Sequence, residues 1–490
     1  MMIPETLSAE RGRPLSISVS DIRRLPKKKM TAEDFHKIQS DLHLSKNQTK
    51  TLGKHIRSAF GTRKVKEPFI RETLQLKAHE LDSYFLYEIR DFDVVSSTKW
   101  PTASVVPVIY CCDVSTLTDH IASHGNFPEN NFESIIGIDS GGGFLKICLT
   151  VRLSSSSSDH RDSMTPTRSK LSEGVAPKSL KDTSVSKWFI LAIVPEAQES
   201  YRNVLILWNL LKFTTPEILP PYTFCMDLKL ANIVVGLMSH SCLHPCTWCD
   251  SRKDNLFCQG NLRTLGSIRA QYWQFVESER GSAKAKDYGN CVHAPMFKYS
   301  DNTRVLDILP PPELHLMLGT VNFLYSNLEK KWPEVIEWPS SLNIEKEAMH
   351  GGTFAGNGCR KLLSHIDKLE RIVPDEHKDF VAAFRSFNDV VVGCFGQCLR
   401  DDYKDRISTF RENFEVLRLR PTPKIHSIFF HVSEFCDLKQ SGLGTWSEQA
   451  FESVHSDFDK HWKRYKVPQS HERFNDRLLR TVQEYNSSHL

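Results

Sequence analysis

The chain has 490 residues, 40% hydrophobic and 25% charged, with a formal net charge of +4. That length suits two to four domains with well-filled cores; no apolar run approaches the roughly 20 residues of a bilayer span, and the start has no apolar leader, so neither a membrane protein nor a secreted one is expected. Thirteen cysteines in such a chain favour free thiols or metal ligands over disulfides.

The charge is uneven. Residues 21–66 hold 13 Lys/Arg against 4 Asp/Glu, so the remainder is mildly acidic. A basic block ahead of an acidic body suits a nucleic-acid contact, and equally a solvated pair of basic helices. Residues 1–30 read as a disordered basic arm ending in Lys27, Lys28 and Lys29, a cluster of the nuclear-localisation or DNA-arm type. Residues 31–130 read as a helical N-terminal region, with a longer helix over about 70–90. Within it, Thr31 and Ser45 suit helix starts, and Ile38, Leu42, Leu52, Ile56 and Phe60 recur at helical spacing. A helix-turn-helix would carry Lys46, Lys50, Lys54 and Arg57 on its second helix; an ordinary helical hairpin fits as well.

From 131 to 245 the pattern changes. Apolar runs predict strands over 132–139, 143–153, 186–197 and 222–227. Helical patterns occupy 201–213 and 228–238, giving the order β-β-β-α-β-α. A polar, Ser-rich insertion at 154–185 interrupts it. Residues 246–435 read as a helical insertion and 436–490 as a final helical part.

Two constellations carry chemistry. Asp139 ends the first strand of this region and Asp227 the fourth. In a ribonuclease-H-like sheet, which has this strand order, those strands are neighbours and the carboxylates meet. Paired carboxylates suit Mg²⁺ or Mn²⁺, and two such ions support in-line phosphodiester cleavage. A lone strand-end Asp is more often a helix cap or turn former. The second constellation joins Cys246 and Cys249, in CxxC spacing, to His426 and His431, in HxxxxH spacing. Two thiolates and two imidazoles suit one structural Zn²⁺ stapling the insertion's start to its end. Cys242 and His244 compete in another register. The glycines after Asp139 also resemble the phosphate loop of an actin- or sugar-kinase-like ATPase. Such enzymes need a second glycine-rich loop, and Asp227 is followed by "LKLAN". The glycines are therefore expected to leave room beside Asp139 for metal ions and a DNA backbone, or to form a tight hairpin.

Over roughly 130–470 the chain resembles the catalytic core of the V(D)J recombinase subunit and its transposon relatives, the Transib transposases. The resemblance rests on "MDLKLANIVVGLMSHSCLHPCTWCDSRK", on "PPPELHLMLGTVNFLY" with Leu314 and His315, and on "FAGNGCRKLL" with Gly356, Asn357, Arg360 and Lys361. It is completed by "KIHSIFFHVSEF" and "GTWSEQAFESVHSDF". It implies a DDE-type enzyme with Asp139, Asp227 and Glu452 as its acids, Glu452 standing six residues after Trp446; Glu448 is the runner-up. It also implies metal-dependent nicking of double-stranded DNA at element ends, attack of the freed 3′-hydroxyl on a second phosphodiester, a homodimer on paired ends and a nuclear location, and leaves open whether an accessory subunit takes part. The chain departs from the family in lacking a Cys/His-rich N-terminal zinc domain and in its Ser-rich insertion. A domesticated, catalytically inactive DNA-binding descendant is the alternative.

Overall fold

The computed structural model describes residues 84–96, 103–125, 132–153, 188–213, 222–278, 282–347, 352–447 and 449–490, with a few short pieces before residue 84. The side chains at 153, 282–283, 449–450 and 452–453 fall outside that description. The chain divides into two compact units, Met1–Ser83 and Tyr84–Leu490. In the first, Leu7–Ser8 pairs antiparallel with Pro14–Leu15. Ile38 and residues 51–52 and 54–55 are helical there.

The second unit is built on one mixed sheet. Its strands are β1 (Tyr87–Val95), β2 (Ala103–Cys111), β3 (Phe132–Gly141), β4 (Phe144–Leu153), β5 (Phe189–Pro195) and β6 (Thr223–Met226), in the order β1-β2-β5-β4-β3-β6. Only β3 and β6 run parallel; the other neighbours are antiparallel. Helix α1 (Val114–His124) follows β2, α2 (Tyr201–Leu210) follows β5, and α3 (Leu228–Val235) follows β6. The central strands are continuous apolar runs because both faces are covered: consecutive residues Ile135 and Ile136, Ile147 to Leu149 and Ile190 to Ile193 are all essentially inaccessible.

The edge of this sheet corrects the expected helical region to residue 130. Residues 87–95 and 103–111, placed there, are strands, and the helix expected over about 70–90 gives way to β1 from Tyr87. In β1 the charged residues Glu88, Arg90, Asp91 and Asp93 are exposed, as on a sheet edge, where charge discourages pairing with another chain. That admixture of charge hides the strand pattern.

Between β3 and β4 the chain turns in two residues, Gly142 and Gly143, with φ of +62° and +82°. Two successive positive φ values are what a right-twisted two-residue hairpin requires. Between β4 and β5 the register slips at Ile147/Cys148, a bulge. The buried Asn486 carboxamide answers it. Its Oδ1 accepts the Ile190 N–H at 2.8 Å, and its Nδ2 donates to the Ile190 carbonyl at 3.1 Å. The Tyr87 hydroxyl donates to that same carbonyl.

Beyond α3 the chain is helical through α4 (Leu265–Glu277), α5 (Glu313–Lys331), α6 (Gly356–Leu363), α7 (Lys378–Val390), α8 (Tyr403–Val416) and α9 (Pro423–Lys439). Phe387, Phe410, Phe414 and Phe429 pack ring on ring between α7, α8 and α9. Helices α10 (Gln449–Tyr465) and α11 (Phe474–Ser487) then return to the sheet. Among the described residues no helix is long and apolar enough to cross a membrane.

Candidate functional sites

Ile138 of β3 lies opposite Met226 of β6 in a parallel register. The next residue after each is an aspartate, so Asp139 and Asp227 lie side by side. Strand β3 does not end at Asp139 as expected but stays paired with β4 to Gly141, while Asp227 stands just past β6. Asp227 also caps α3, its Oδ1 accepting the Leu230 N–H at 2.7 Å. The cap engages one oxygen. Asp139 is held twice: Oδ1 accepts the Ser140 N–H at 2.8 Å, and Oδ2 lies 2.8 Å from His455 Nε2.

A third carboxylate, Glu199, feels the charges of both aspartates. It sits between β5 and α2, and Lys229 donates to it at 2.6 Å. Burial raises its pKa, Lys229 opposes that rise, and the charges of Asp227 and Asp139 add to it. Nothing in the sequence marks Glu199 except its place just past a predicted strand end.

Lys146 and His455 also escaped the sequence reading. Lys146 is fully buried and lies directly across the β3–β4 ladder from Asp139. Its Nζ donates to the Gly141 carbonyl at 2.9 Å and lies 2.8 Å from His455 Nδ1. Burial pulls its ammonium down to about 8, against the opposing charge of Asp139. A signal for Lys146 was available: a two-residue turn at Gly142–Gly143 puts 139 opposite 146.

Helix α10 crosses β3 at two glycines. A Cβ at Gly137 would lie 2.5 Å from the Phe451 ring, and one at Gly141 would lie 2.6 Å from the His455 ring. The α10 backbone at Glu452 lies between these contacts; its side chain, and Glu448 altogether, fall outside the described residues. The loop before α10 is firmly set. Arg152 lies 3.5 Å over the Trp446 ring, with Lys439 at 4.9 Å. Ser447 donates to buried Glu313 at 2.8 Å, and Arg360 donates to the other oxygen of Glu313 at 2.9 Å. Three separated stretches of the resemblance therefore meet at one carboxylate.

The second site is a closed cluster. Cys246, Cys249, His426 and His431 are buried, and their ligand atoms all lie within 4.8 Å of one another. Cys246 Sγ is 3.3 Å from His431 Nε2, and Cys249 Sγ is 3.2 Å from His426 Nε2. Zn–S and Zn–N bonds of about 2.3 and 2.0 Å in a tetrahedron demand sulfur–nitrogen edges only slightly longer. The group is compatible with a structural zinc site.

Its surroundings fit as well. His426 Nδ1 lies 2.9 Å from the Leu256 carbonyl, which directs Nε2 inward. The buried Arg263 Nε donates to the carbonyls of Cys246 and Cys249 at 3.2 and 2.9 Å, bracing the CxxC turn. A hydrogen bond with Cys246, then bonds with His426 and His431, hold the Cys249 thiol well below its usual range. Burial holds His431 below the ordinary imidazole value, toward the neutral form a metal needs. The competing register is not used. Cys242 points its thiol at the His244 carbonyl, and His244 Nδ1 lies 2.7 Å from the Asp250 carbonyl.

Of the basic residues expected to touch DNA, Lys54 is helical and exposed. Lys27, Lys28, Lys29, Lys46, Lys50 and Arg57 lie outside the described residues, as does the Ser-rich 154–185. The chain matches no protein-family model and has no significant match among curated proteins.

Proposed function

We propose that the chain is a DDE-type transposase or recombinase with a ribonuclease-H-like core, cutting and joining DNA strands with divalent metal ions. The observation that carries this reading is the Ile138–Met226 register, which supports a shared metal site for Asp139 and Asp227. The strand order β5-β4-β3-β6, with β6 parallel to β3, is the order that core would have. The crossing of α10 over the end of β3 supports Glu452 as the acid supplied by a late helix.

Asp139, Asp227, Glu199 and Glu452 are the residues that would hold Mg²⁺ or Mn²⁺. Bound there, two such ions supply Lewis acidity to both the attacking and the departing oxygen of a phosphodiester. In the first step water adds to phosphorus as the bond to the 3′ oxygen breaks; a 3′-hydroxyl and a 5′-phosphate result. In the second, that hydroxyl attacks another phosphodiester and releases an equivalent 3′-hydroxyl, so the number of ester bonds is conserved. The side chains contribute position and charge, and no covalent protein intermediate is needed. Zn²⁺ in the Cys246–Cys249–His426–His431 cluster would be structural. The basic block before residue 84 would supply phosphate contacts, and the enzyme would act in the nucleus as a homodimer on paired DNA ends, alone or with an accessory subunit.

Purified protein is expected to nick supercoiled DNA in Mn²⁺, and Asp227→Asn to lose at least about a hundredfold of that rate, the loss of a group that stabilises the transition state. Equal nicking by variant and parent would overturn the assignment. DNA binding without nicking in either would favour the inactive, domesticated descendant.

A further inference from the structure

We propose that His455 and Lys146 are a buried positioning pair that sets the Asp139 carboxylate for divalent-metal binding, an inference that rests on the metal-dependent reading above. The chemistry of the chain of contacts fixes its direction. An ammonium has donors and no acceptor, so His455 Nδ1, 2.8 Å from Lys146 Nζ, is the accepting nitrogen. The ring is then the neutral Nε2–H tautomer, and that N–H donates to Asp139 Oδ2 at 2.8 Å. With Ser140 N–H on Oδ1, both carboxylate oxygens are held before any ion arrives.

The arrangement is costly unless it does something. Removing an ammonium from water is unfavourable even after relaxation, and an aliphatic residue would fill the same strand position. Lys146 is nonetheless at 0% exposure, between the rings of Phe144 and Phe458 at 5.4 and 5.2 Å. It does not pair with Asp139 directly, although it faces it across the ladder. A histidine is inserted between them, and Gly141 lacks the Cβ that would displace that ring. Partners behind a metal ligand orient it and are commonly worth ten- to a hundredfold in metal affinity.

The test is equilibrium Mn²⁺ binding to the full, zinc-replete chain without DNA, followed by the paramagnetic resonance signal of free Mn²⁺. Parent, Asp227→Asn, His455→Leu, His455→Asn, His455→Gln, Lys146→Met and the His455→Leu/Lys146→Met double variant are compared. His455→Leu and Lys146→Met are each expected to weaken binding about tenfold. The double variant should be no weaker than His455→Leu alone, because both act through one carboxylate. His455→Gln, whose carboxamide presents a donor and an acceptor, should stay within about threefold of parent. His455→Asn keeps the Lys146 contact but falls short of Asp139, so it should weaken binding like His455→Leu and stands in for it if that variant does not fold. Parental affinity in both His455→Leu and His455→Asn, additive losses in the double variant, or a glutamine no better than leucine would overturn the pair. If Asp227→Asn binds Mn²⁺ as the parent does, the metal-site reading itself has failed; if Asp227→Asn loses binding while the His455 variants keep it, only the positioning pair has.

Discussion

A methyl group added at Gly141 would meet the His455 ring at 2.6 Å, whereas one added at Gly142 or Gly143 would meet nothing within 4 Å. The latter two are glycine for their backbone, at φ of +62° and +82°. Gly141 is glycine for its neighbour. The sequence suggests that the glycines leave room for metal ions and DNA; at Gly141 the room is taken by a histidine from α10. Gly141→Ala therefore forces α10 off β3 and is expected to cost about 1–3 kcal/mol, as overpacking does. It should also weaken Mn²⁺ binding, since it displaces the ring that holds Asp139. Gly142→Ala carries only the left-handed backbone penalty of about 1–2 kcal/mol and should leave Mn²⁺ binding intact. Urea midpoints and Mn²⁺ titrations of the two variants separate these outcomes.

At the scale of the element, α11 is tied to the bulge in the sheet by one side chain. Asn486→Leu would leave the buried Ile190 N–H without its acceptor, at about 1–3 kcal/mol, while the Ile190 carbonyl keeps the Tyr87 hydroxyl. Amide exchange at Ile190 should quicken accordingly, and in Tyr87→Phe much less, because Asn486 still serves both groups. Neither contact was legible in the sequence, since a bulge is a matter of register between strands. The strands β3 to β6 were legible because burial on both faces leaves each with consecutive apolar residues, such as Ile135 and Ile136 in β3 and Ile190 to Ile193 in β5. By contrast, β1 and β2 were hidden. One is laced with the charges of an edge, and the other carries Pro107 in mid-strand, where a proline ordinarily argues against a strand. The same limit applies to the site. Asp139 and Asp227 stood out at strand ends, and the Cys and His pairs had ligand spacing. Glu199 did not stand out, because the influence of both aspartates on it exists only once the sheet and α2 have packed.

For the molecule as a whole, the Cys/His cluster closes a very long loop. Cys249 and His426 are 177 residues apart, and Cys246 and His431 are 185 apart. Between them run α4 to α8, whose α5 carries the glutamate that holds Ser447 at the entrance to α10. By the chain-entropy model, a cross-link closing a loop of this length restricts the unfolded chain by about 5 kcal/mol. Removing zinc by chelation, or with Cys246→Ser/Cys249→Ser, is therefore expected to lower the urea midpoint sharply and to release about one ion per chain. The pH dependence has a definite sign. Zinc needs thiolates and neutral imidazoles, so its binding competes with protons and weakens as pH falls. The depressed His431 imidazole favours the metal-ready form, whereas burial and the neighbouring Cys249 push the Cys246 thiol up and oppose it. Zinc's contribution to stability should thus be present at neutral pH and be lost as the thiolates and imidazoles take up protons on acidification. Titrating zinc release and the urea midpoint together from neutral pH downward checks this: the two curves should fall in step. A zinc-loaded protein whose midpoint is unmoved when the ion leaves would show that the helices hold the loop closed without it.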